Sequence, residues 1–203
     1  PGEMDPDTPY FGLEHLPRRS IALGDWGRCE GLASSKWRLA RGDILFGKLR
    51  PYFHKVGPAP LDGVCSTDIL VIRPRRADFA GFLEGHLSSD ELVGYAAART
   101  TGTRMPRTSW KDLSAYPLVL PPASVVAAYE STARPLLKRI MHNVLESRAL
   151  TDVRLVLAER LGLQTDEDSA ALHEWLARDI EQDGADGDDG TDDGGASPAA
   201  SQE

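Results

Sequence analysis

The segment GDILFGKLRPY, residues 42–52, combines glycines with basic residues at a spacing that suggests phosphate chemistry. Gly42 and the pair Gly47-Lys48 match the start of the phosphate-loop pattern G-x-x-x-x-G-K-[ST]. In that loop, backbone amides surround phosphates and a final hydroxyl binds Mg²⁺. Leu49 occupies the position of the hydroxyl here, and the intervening residues Asp43 to Phe46 favour an extended strand. We therefore predict a half-buried strand that leads into a basic turn, and no nucleotide-binding loop.

Residue types that enzymes use are present, but not at catalytic spacings. The five histidines form no H-E-x-x-H pair, no G-x-S-x-G elbow occurs, and no Asp or Glu stands two residues before a Lys. An adenine methyltransferase needs an Asn/Asp-Pro-Pro-aromatic motif to hold the flipped base. The segment LPPA, starting at Leu120, lacks both the polar and the aromatic residue. We therefore predict no catalytic residue, no metal site and no cofactor in this chain, and we expect Asp43, Asp62 and Asp68 to stabilise turns.

Charge is distributed unevenly along the 203 residues, whose formal net charge is −8. Residues 164–203 contain 13 acidic residues and one basic residue, which leaves 18 acidic and 22 basic residues in 1–163. The part expected to fold is thus mildly basic, which permits nucleic-acid binding. No stretch approaches the ~20 apolar residues of a membrane span. Cys29 and Cys65 lack metal-site spacing, so we expect two free thiols in a cytoplasmic protein.

The pattern of apolar residues predicts the elements that must position these side chains. Cys65 to Pro74 is the clearest strand, and residues 114–122 predict a short second one. Ala77 to Thr100 predicts two helices separated at Ser88-Ser89, with Ser89 as the N-cap of the second. The irregular alternation indicates a single α/β domain of the mixed α+β kind, with a mixed β-sheet, over residues 10–122.

Residues outside this domain divide into four parts. Residues 1–9 predict a linker, and 123–163 predict a long spacer helix that Pro135 should kink or restart. The apolar stripe of that helix requires cover, either from its own domain or from a second helix in a coiled coil. Residues 164–181 predict a short amphipathic segment, and 182–203 a disordered acidic tail.

Several of these segments, taken in order, resemble a known family. The resemblance is to the target recognition domain of Type I restriction-modification specificity subunits. It rests on YFGLEHL, SSKWRLARGDILFGKLRPYFHKV, DGVCSTDILVIRP, LSSDELV and TGTRMPRTSWKDLSAYPLVLPP, together with the helix that follows. It runs from about Tyr10 to Leu163, and the segments are specific as a set although each alone is weak. The resemblance implies a non-enzymatic, cytoplasmic module that recognises one half of a split double-stranded DNA target in phage defence.

The same resemblance implies partners and a site. Methyltransferase subunits would bind S-adenosylmethionine and methylate adenine, and a restriction subunit would join some assemblies. Phosphates are bound by basic and hydroxyl side chains, and base edges by arginine and lysine among others. The candidate DNA-binding residues are Lys36, Lys48, Arg50, Tyr52, Lys55, Thr103, Arg104, Arg107 and Ser109. Base-reading residues could instead lie in less patterned segments, at Arg18-Arg19, Arg28 or Arg73 to Arg76.

Three departures from the family pattern leave alternatives open. A full specificity subunit has two recognition domains and two helical spacers, whereas this chain has one of each. The usual helix start LPPLEEQ is LPPASVVAAYE here, and the acidic tail is foreign to the pattern. The chain could be a half-size subunit that dimerises, a fragment of a two-domain subunit, or the C-terminal recognition domain of a single-chain DNA methyltransferase. A protein–protein adaptor that works through the long helix without DNA is a further alternative.

Overall fold

The computed structural model describes residues 5–31, 34–102 and 104–160. The chain divides into two compact units, residues 1–150 and 151–203. The strands are β1 (Pro9–Phe11), β2 (Gly27–Arg28), β3 (Lys36–Leu39), β4 (Ile44–Gly47), β5 (Val56–Pro58), β6 (Gly63–Ser66) and β7 (Ile69–Ile72). The α-helices are α1 (Ala80–Leu87), α2 (Asp90–Ala98), α3 (Trp110–Ser114) and α4 (Ala123–Arg160). Short 3-10 turns form at Leu13–His15, Pro51–Phe53 and Ala77–Phe79.

Two small sheets organise the first unit. The first has the strand order β2-β1-β6-β3 and is mixed, because β1 runs parallel to β6 but antiparallel to β2. The second has the order β5-β4-β7 and is antiparallel throughout. This arrangement confirms the mixed α+β fold class and the mixed sheet, and it adds a second sheet that the sequence did not predict.

The strand that follows Asp43 is more deeply buried than predicted. All four residues of β4 are buried, since β4 is the central strand of its sheet and both faces are covered. Ile44 and Phe46 pack in one apolar cluster with residues of α1 and α2. Leu45 points the other way, into a cluster with Phe11 and Cys65. The prediction of a half-buried strand was therefore wrong, because one strand serves two cores.

The single strand predicted over residues 65–74 was also wrong. β6 ends at Ser66, β7 begins at Ile69, and the two strands belong to different sheets. The Asp68 amide donates to the Ser66 hydroxyl at 3.2 Å, and the Asp68 carbonyl accepts from the Lys48 amide at 2.8 Å. Short polar side chains that bond nearby backbone favour such turns. The polar residues Ser66 and Asp68 mark this turn between the apolar residues of β6 and β7.

Residues 117–122 do not form the predicted strand. α3 ends at Ser114, the first residue of the strand predicted over 114–122, and Leu118, Val119 and Leu120 are exposed, with Val119 at 83%. Prolines 117, 121 and 122 lack the N–H group that a strand ladder needs, which explains the failure.

The helix predictions were more successful. α1 and α2 meet at Ser88-Ser89 as predicted, and the Ser89 hydroxyl accepts a hydrogen bond from the Leu92 amide at 3.2 Å. α4 begins at Ala123 and passes through Pro135 without restarting, although proline lacks the amide for one helical bond. Within the residues that the structure describes, no helix is long and apolar enough to cross a membrane.

The first turns of α4 pack on their own domain. Val126 and Glu130 are buried, and a Glu130 carboxylate oxygen accepts from the Phe82 amide in α1 at 2.8 Å. Further along, Arg148 donates to the Asp25 carboxylate and the Trp26 carbonyl, each at 3.1 Å. The apolar side chains that remain exposed on α4 include Leu136, Leu150, Val153, Val156 and Leu157. The predicted segments 164–181 and 182–203 lie outside the described residues.

Candidate nucleic-acid interface

The two loops predicted to bind DNA lie side by side and are joined through their backbones. The Arg50 amide donates to the Pro106 carbonyl at 2.8 Å, and the Thr108 amide donates to the Lys48 carbonyl at 3.0 Å. Arg107 and Thr101 exchange two backbone hydrogen bonds, each of 3.1 Å. We call the surface formed by residues 47–55, the described part of 100–109, and Arg18 the basic surface. Separate predictions thus converge on one region of the fold.

Strained backbone holds the centre of the basic surface in one conformation. The Pro51–Phe53 turn is flanked by Arg50 and His54 in the left-handed region, at φ 51° and 54°. Arg19 has the same conformation, at φ 54°, and its amide donates to the His54 carbonyl at 2.9 Å. Residues other than glycine pay roughly 1–2 kcal/mol for this conformation. Strain of this kind persists only where the surroundings fix it, and it is common at functional sites.

Contacts of His54 supply that constraint. Its ring is buried, and its Nε2 lies 2.8 Å from the Ser88 carbonyl at the junction of α1 and α2. Its Nδ1 lies 3.3 Å from the Asp90 carboxylate. The helices therefore fix the position of the turn from behind, while the turn presents its other side to solvent.

Three of the predicted residues point outward from the basic surface. The guanidinium of Arg50 lies 5.8 Å from the centre of the Phe53 ring, and the Arg50 residue is exposed. Tyr52 is 52% exposed and meets the Phe53 ring edge-to-face at 4.9 Å. Arg104 is exposed and has no ion-pair partner within the described ranges. These groups can contact an anion or an aromatic base without breaking an internal contact.

Other predicted residues already make internal contacts. Arg107 donates to both Asp68 carboxylate oxygens at 3.0 and 3.3 Å, and this hydrogen bonding raises the pKa of the guanidinium. Ser109 is the N-cap of α3, where its hydroxyl accepts from the Asp112 amide at 3.2 Å. The Lys55 ammonium donates to the Leu13 carbonyl. Burial lowers the pKa of Lys55, and the nearby charge of Arg18 lowers it further, while Glu14 opposes both.

The last three predicted residues are Lys48, Lys36 and Thr103. Lys48 follows β4, is half-buried, and joins the loops through its backbone. Lys36 lies on β3 in the other sheet, where its ammonium donates to the Ser34 carbonyl at 2.9 Å. It makes no hydrogen bond to the basic surface among the residues described. Thr103 lies outside the described residues.

Carboxylates neutralise most of the arginines that we considered as base readers. The pairs, with their N–O distances, are Arg19–Asp90 at 2.7 Å, and Arg28–Asp7, Arg73–Asp43 and Arg76–Asp78 at 2.5 Å each. Arg18 and Arg75 have no carboxylate partner in the described part of the chain, and the guanidinium of Arg18 lies 3.8 Å over the Phe53 ring. The guanidinium of Arg99 similarly lies 3.6 Å over the Tyr95 ring, and no sequence motif marks this contact.

The predicted free thiols are confirmed. Cys29 and Cys65 are both buried and unpaired. Burial raises the pKa of Cys65 to about 12, and the charge of Asp43 adds to the effect. A thiol with so high a pKa is a poor nucleophile at neutral pH. In the ranges that the structure covers, no three His, Cys, Asp or Glu side chains are grouped as a metal site would require.

A curated protein matches part of this sequence. The chain is 32% identical over 93 residues to the Type I restriction enzyme EcoDI specificity subunit of Escherichia coli, and the match covers 46% of this chain and 20% of that protein. The chain is similar to part of a Type I specificity subunit. The resemblance predicted from the sequence is thereby confirmed, although the chain matches only about a fifth of the length of that relative.

Two solved structures support the same fold. The HsdS subunit from Thermoanaerobacter tengcongensis has a TM-score of 0.52 and 24% identity, covering 76% of this chain and 43% of the HsdS chain. A chain from work on complex assembly and conformational transition of the type I R-M system has a TM-score of 0.51 and 24% identity, with coverages of 77% and 43%. A family model described as a domain of unknown function (DUF2017) matches residues 147–196, most of which lie beyond the described part.

Proposed function

We propose that this chain is a non-catalytic DNA sequence-recognition module of a restriction-modification system. The observation that carries the proposal is the basic surface, where the exposed Arg50 and Arg104 have no carboxylate partner among the described residues and Tyr52 presents an exposed ring. Duplex DNA offers the phosphates that such cations bind and the bases that arginines read. The similarity to a specificity subunit supports the same function.

The proposed partners follow from this role. The chain would direct a separate methyltransferase subunit, which carries S-adenosylmethionine, to adenines within one half of a split target. A restriction subunit would join the same assembly, in the cytoplasm where the DNA lies. The exposed apolar side chains of α4, such as Leu136 at 58%, support packing against a second helix. That helix would come from a second copy of this chain or from a second recognition domain.

Replacing Arg50 and Arg104 together by alanine tests the DNA-binding surface. We expect weaker binding to duplex DNA and a slope of log affinity against log salt that is smaller by up to roughly 1.8, because each lost phosphate contact removes about 0.9. Fluorescence anisotropy with a labelled mixed-sequence duplex, between 50 and 200 mM salt, measures both quantities. Arg107 is a poorer choice, because its removal would also free Asp68 and loosen the loop.

The matched control is the double variant Arg28→Ala with Arg76→Ala. It changes the net charge equally but removes exposed arginines that Asp7 and Asp78 already neutralise. The control should bind DNA nearly as the unmodified chain does. Equal affinity and equal salt slope in the unmodified chain and the Arg50/Arg104 variant would show that this surface does not bind DNA.

The adaptor alternative can be distinguished from the DNA-recognition proposal by the partners that the full chain binds. Light scattering with candidate methyltransferase chains, and anisotropy with DNA, should both detect complexes under the proposal. A chain that binds the methyltransferase but no DNA at any salt concentration would favour the adaptor. A recognition domain of a single-chain methyltransferase would instead be continuous with methyltransferase motifs in the coding sequence upstream.

A further inference from the structure

We infer that Arg18 reads the edge of a base in the DNA target and that the Phe53 ring positions it for this contact. The inference rests on the proposed DNA-recognition function and goes beyond it by naming a residue that sets specificity. Arg18 belongs to neither loop of the predicted site. Its role depends on where the fold places it.

The fold places the guanidinium of Arg18 over an aromatic ring in the absence of a ligand. Its central carbon lies 3.8 Å from the centre of the Phe53 ring, within the range of a cation–π contact. Phe53 ends the turn whose flanking residues, Arg50 and His54, are held in the left-handed conformation. The neighbouring Arg19 amide donates to the His54 carbonyl, so the backbone next to Arg18 is tied to the same turn. The backbone next to Arg18 and the backbone that carries Phe53 are therefore joined directly.

The charge of Arg18 also remains available. Arg19, Arg28, Arg73 and Arg76 each pair with an aspartate, whereas Arg18 pairs with none among the described residues. Two other basic residues share its surroundings, namely Lys55, whose pKa its charge lowers, and Arg50, whose guanidinium lies 5.8 Å from the centre of the Phe53 ring. Glu14 is the acidic group near Lys55. A concentration of cations around one aromatic ring is stabilised when a ligand supplies acceptor oxygens or nitrogens.

Orientation distinguishes a base reader from a phosphate contact. A stacked guanidinium keeps its plane fixed, and its parallel N–H groups match the O6 and N7 acceptors of guanine. Preorganisation also reduces the entropy lost when an arginine becomes ordered on binding. A phosphate presents acceptors in many directions and needs no such fixation. Arg50 and Arg104 already provide less constrained cations for the phosphates.

The test needs a target, which a random-sequence duplex library provides. The unmodified full chain selects duplexes from the library, and affinity is then measured for the selected duplex and for a scrambled one. Arg18→Ala should lower the ratio of these affinities by roughly 5- to 150-fold, the range for one lost bidentate base contact. Its salt slope should change by less than about 0.9, the value for one phosphate. Arg18→Lys, which keeps the charge but lacks the planar fork, should lose discrimination as well.

Two further variants complete the design. Phe53→Leu removes the ring but keeps Arg18, and it should reduce discrimination in the same direction by a smaller factor. Arg76→Ala is the matched control, since Arg76 also lies over a phenylalanine, 4.7 Å from the Phe79 ring, but is neutralised by Asp78. Its discrimination should equal that of the unmodified chain.

The remaining outcomes are decisive against the inference. Arg18→Ala could weaken both duplexes equally and flatten the salt slope by about 0.9, which would make Arg18 a phosphate contact. Unchanged discrimination in Arg18→Ala, or full discrimination in Arg18→Lys, would also overturn the assignment. An unmodified chain that selects no sequence would overturn the proposed function, and this inference with it, whereas a chain that selects a motif keeps the two questions separate.

Discussion

Carboxylates determine which arginines of this chain are available to a ligand. Arg73 pairs with the buried Asp43, and Arg107 pairs with Asp68. Both ion pairs therefore stabilise the fold at the ends of β4 and β7. Arg18, Arg50 and Arg104 lack such partners in the part of the chain described here, and they lie on or beside the basic surface. We therefore propose that the unpaired arginines contact the DNA, whereas Arg107 and Ser109 stabilise the loops.

The buried carboxyl group of Glu84 should make the stability of the chain depend on pH. It is buried in α1, both of its carboxylate oxygens lack a hydrogen-bond partner within the described residues, and burial raises its pKa to about 7. Its ordinary pKa is 4.5. Between these values the folded chain keeps a proton that the unfolded chain has released. Stability should therefore fall as pH rises from about 4.5 to 7, by an amount on the order of 3 kcal/mol.

The variant Glu84→Gln keeps the shape of the side chain but does not titrate. Urea denaturation at pH 5 and pH 8 should show that the unmodified chain loses more stability than the variant over this interval. Glu91→Gln, at an exposed position of α2, is the control and should keep the full pH dependence. If the Glu84 variant and the unmodified chain have equal pH dependence, Glu84 is charged in the folded state.

At the scale of elements, two glycines of α1 allow α4 to pack closely. A Cβ placed at Gly81 would lie 2.9 Å from the Ala133 Cβ, and one at Gly85 would lie 2.6 Å from the Tyr129 hydroxyl. Glu130 of α4 accepts from the Phe82 amide near the start of α1, where the N-cap residue provides no side-chain hydrogen bond. The close approach thus also satisfies an unpaired helical amide.

Alanine should have opposite effects on stability at Gly81, which lies against α4, and at Gly94, a control position in α2. Gly81→Ala should destabilise the domain by roughly 1–3 kcal/mol, since overpacking forces two helices apart. Gly94→Ala in α2 has open space around the new Cβ and should stabilise by up to ~1 kcal/mol through helix propensity. Urea denaturation of both variants measures the difference. A Gly81 variant as stable as the Gly94 variant would mean that α4 does not press on α1.

Local signals were sufficient for some elements and insufficient for others. The α1–α2 junction and the Ser89 cap were predictable because capping depends on neighbouring residues alone. The turn at Asp68 was not, since its stabilising partners include the distant Lys48 and Arg107. The loop types were predictable from composition, but their joining through Arg50 and Pro106 was not. For the same reason the sequence could not indicate which arginines find a carboxylate.

At the scale of the whole molecule, one buried strand links the two cores to the site. β4 contributes to both apolar clusters and ends at Gly47, directly before Lys48, so the basic surface begins at the buried central strand of its sheet. α4 is anchored to the same unit by Glu130 near its start and by Arg148 further along. The exposed apolar residues further along α4 fit the proposed role of bringing a second recognition domain or a second copy alongside.

The central claim is that this chain recognises a DNA sequence. Selection of random-sequence duplexes by the purified full chain, followed by sequencing of the bound fraction, measures this directly. Our account predicts enrichment of one short motif in the fraction bound by the unmodified chain. Replacing Arg18 by alanine should relax that motif at one base position and leave its other positions enriched. A bound fraction with the same sequence composition as the starting library would contradict the account.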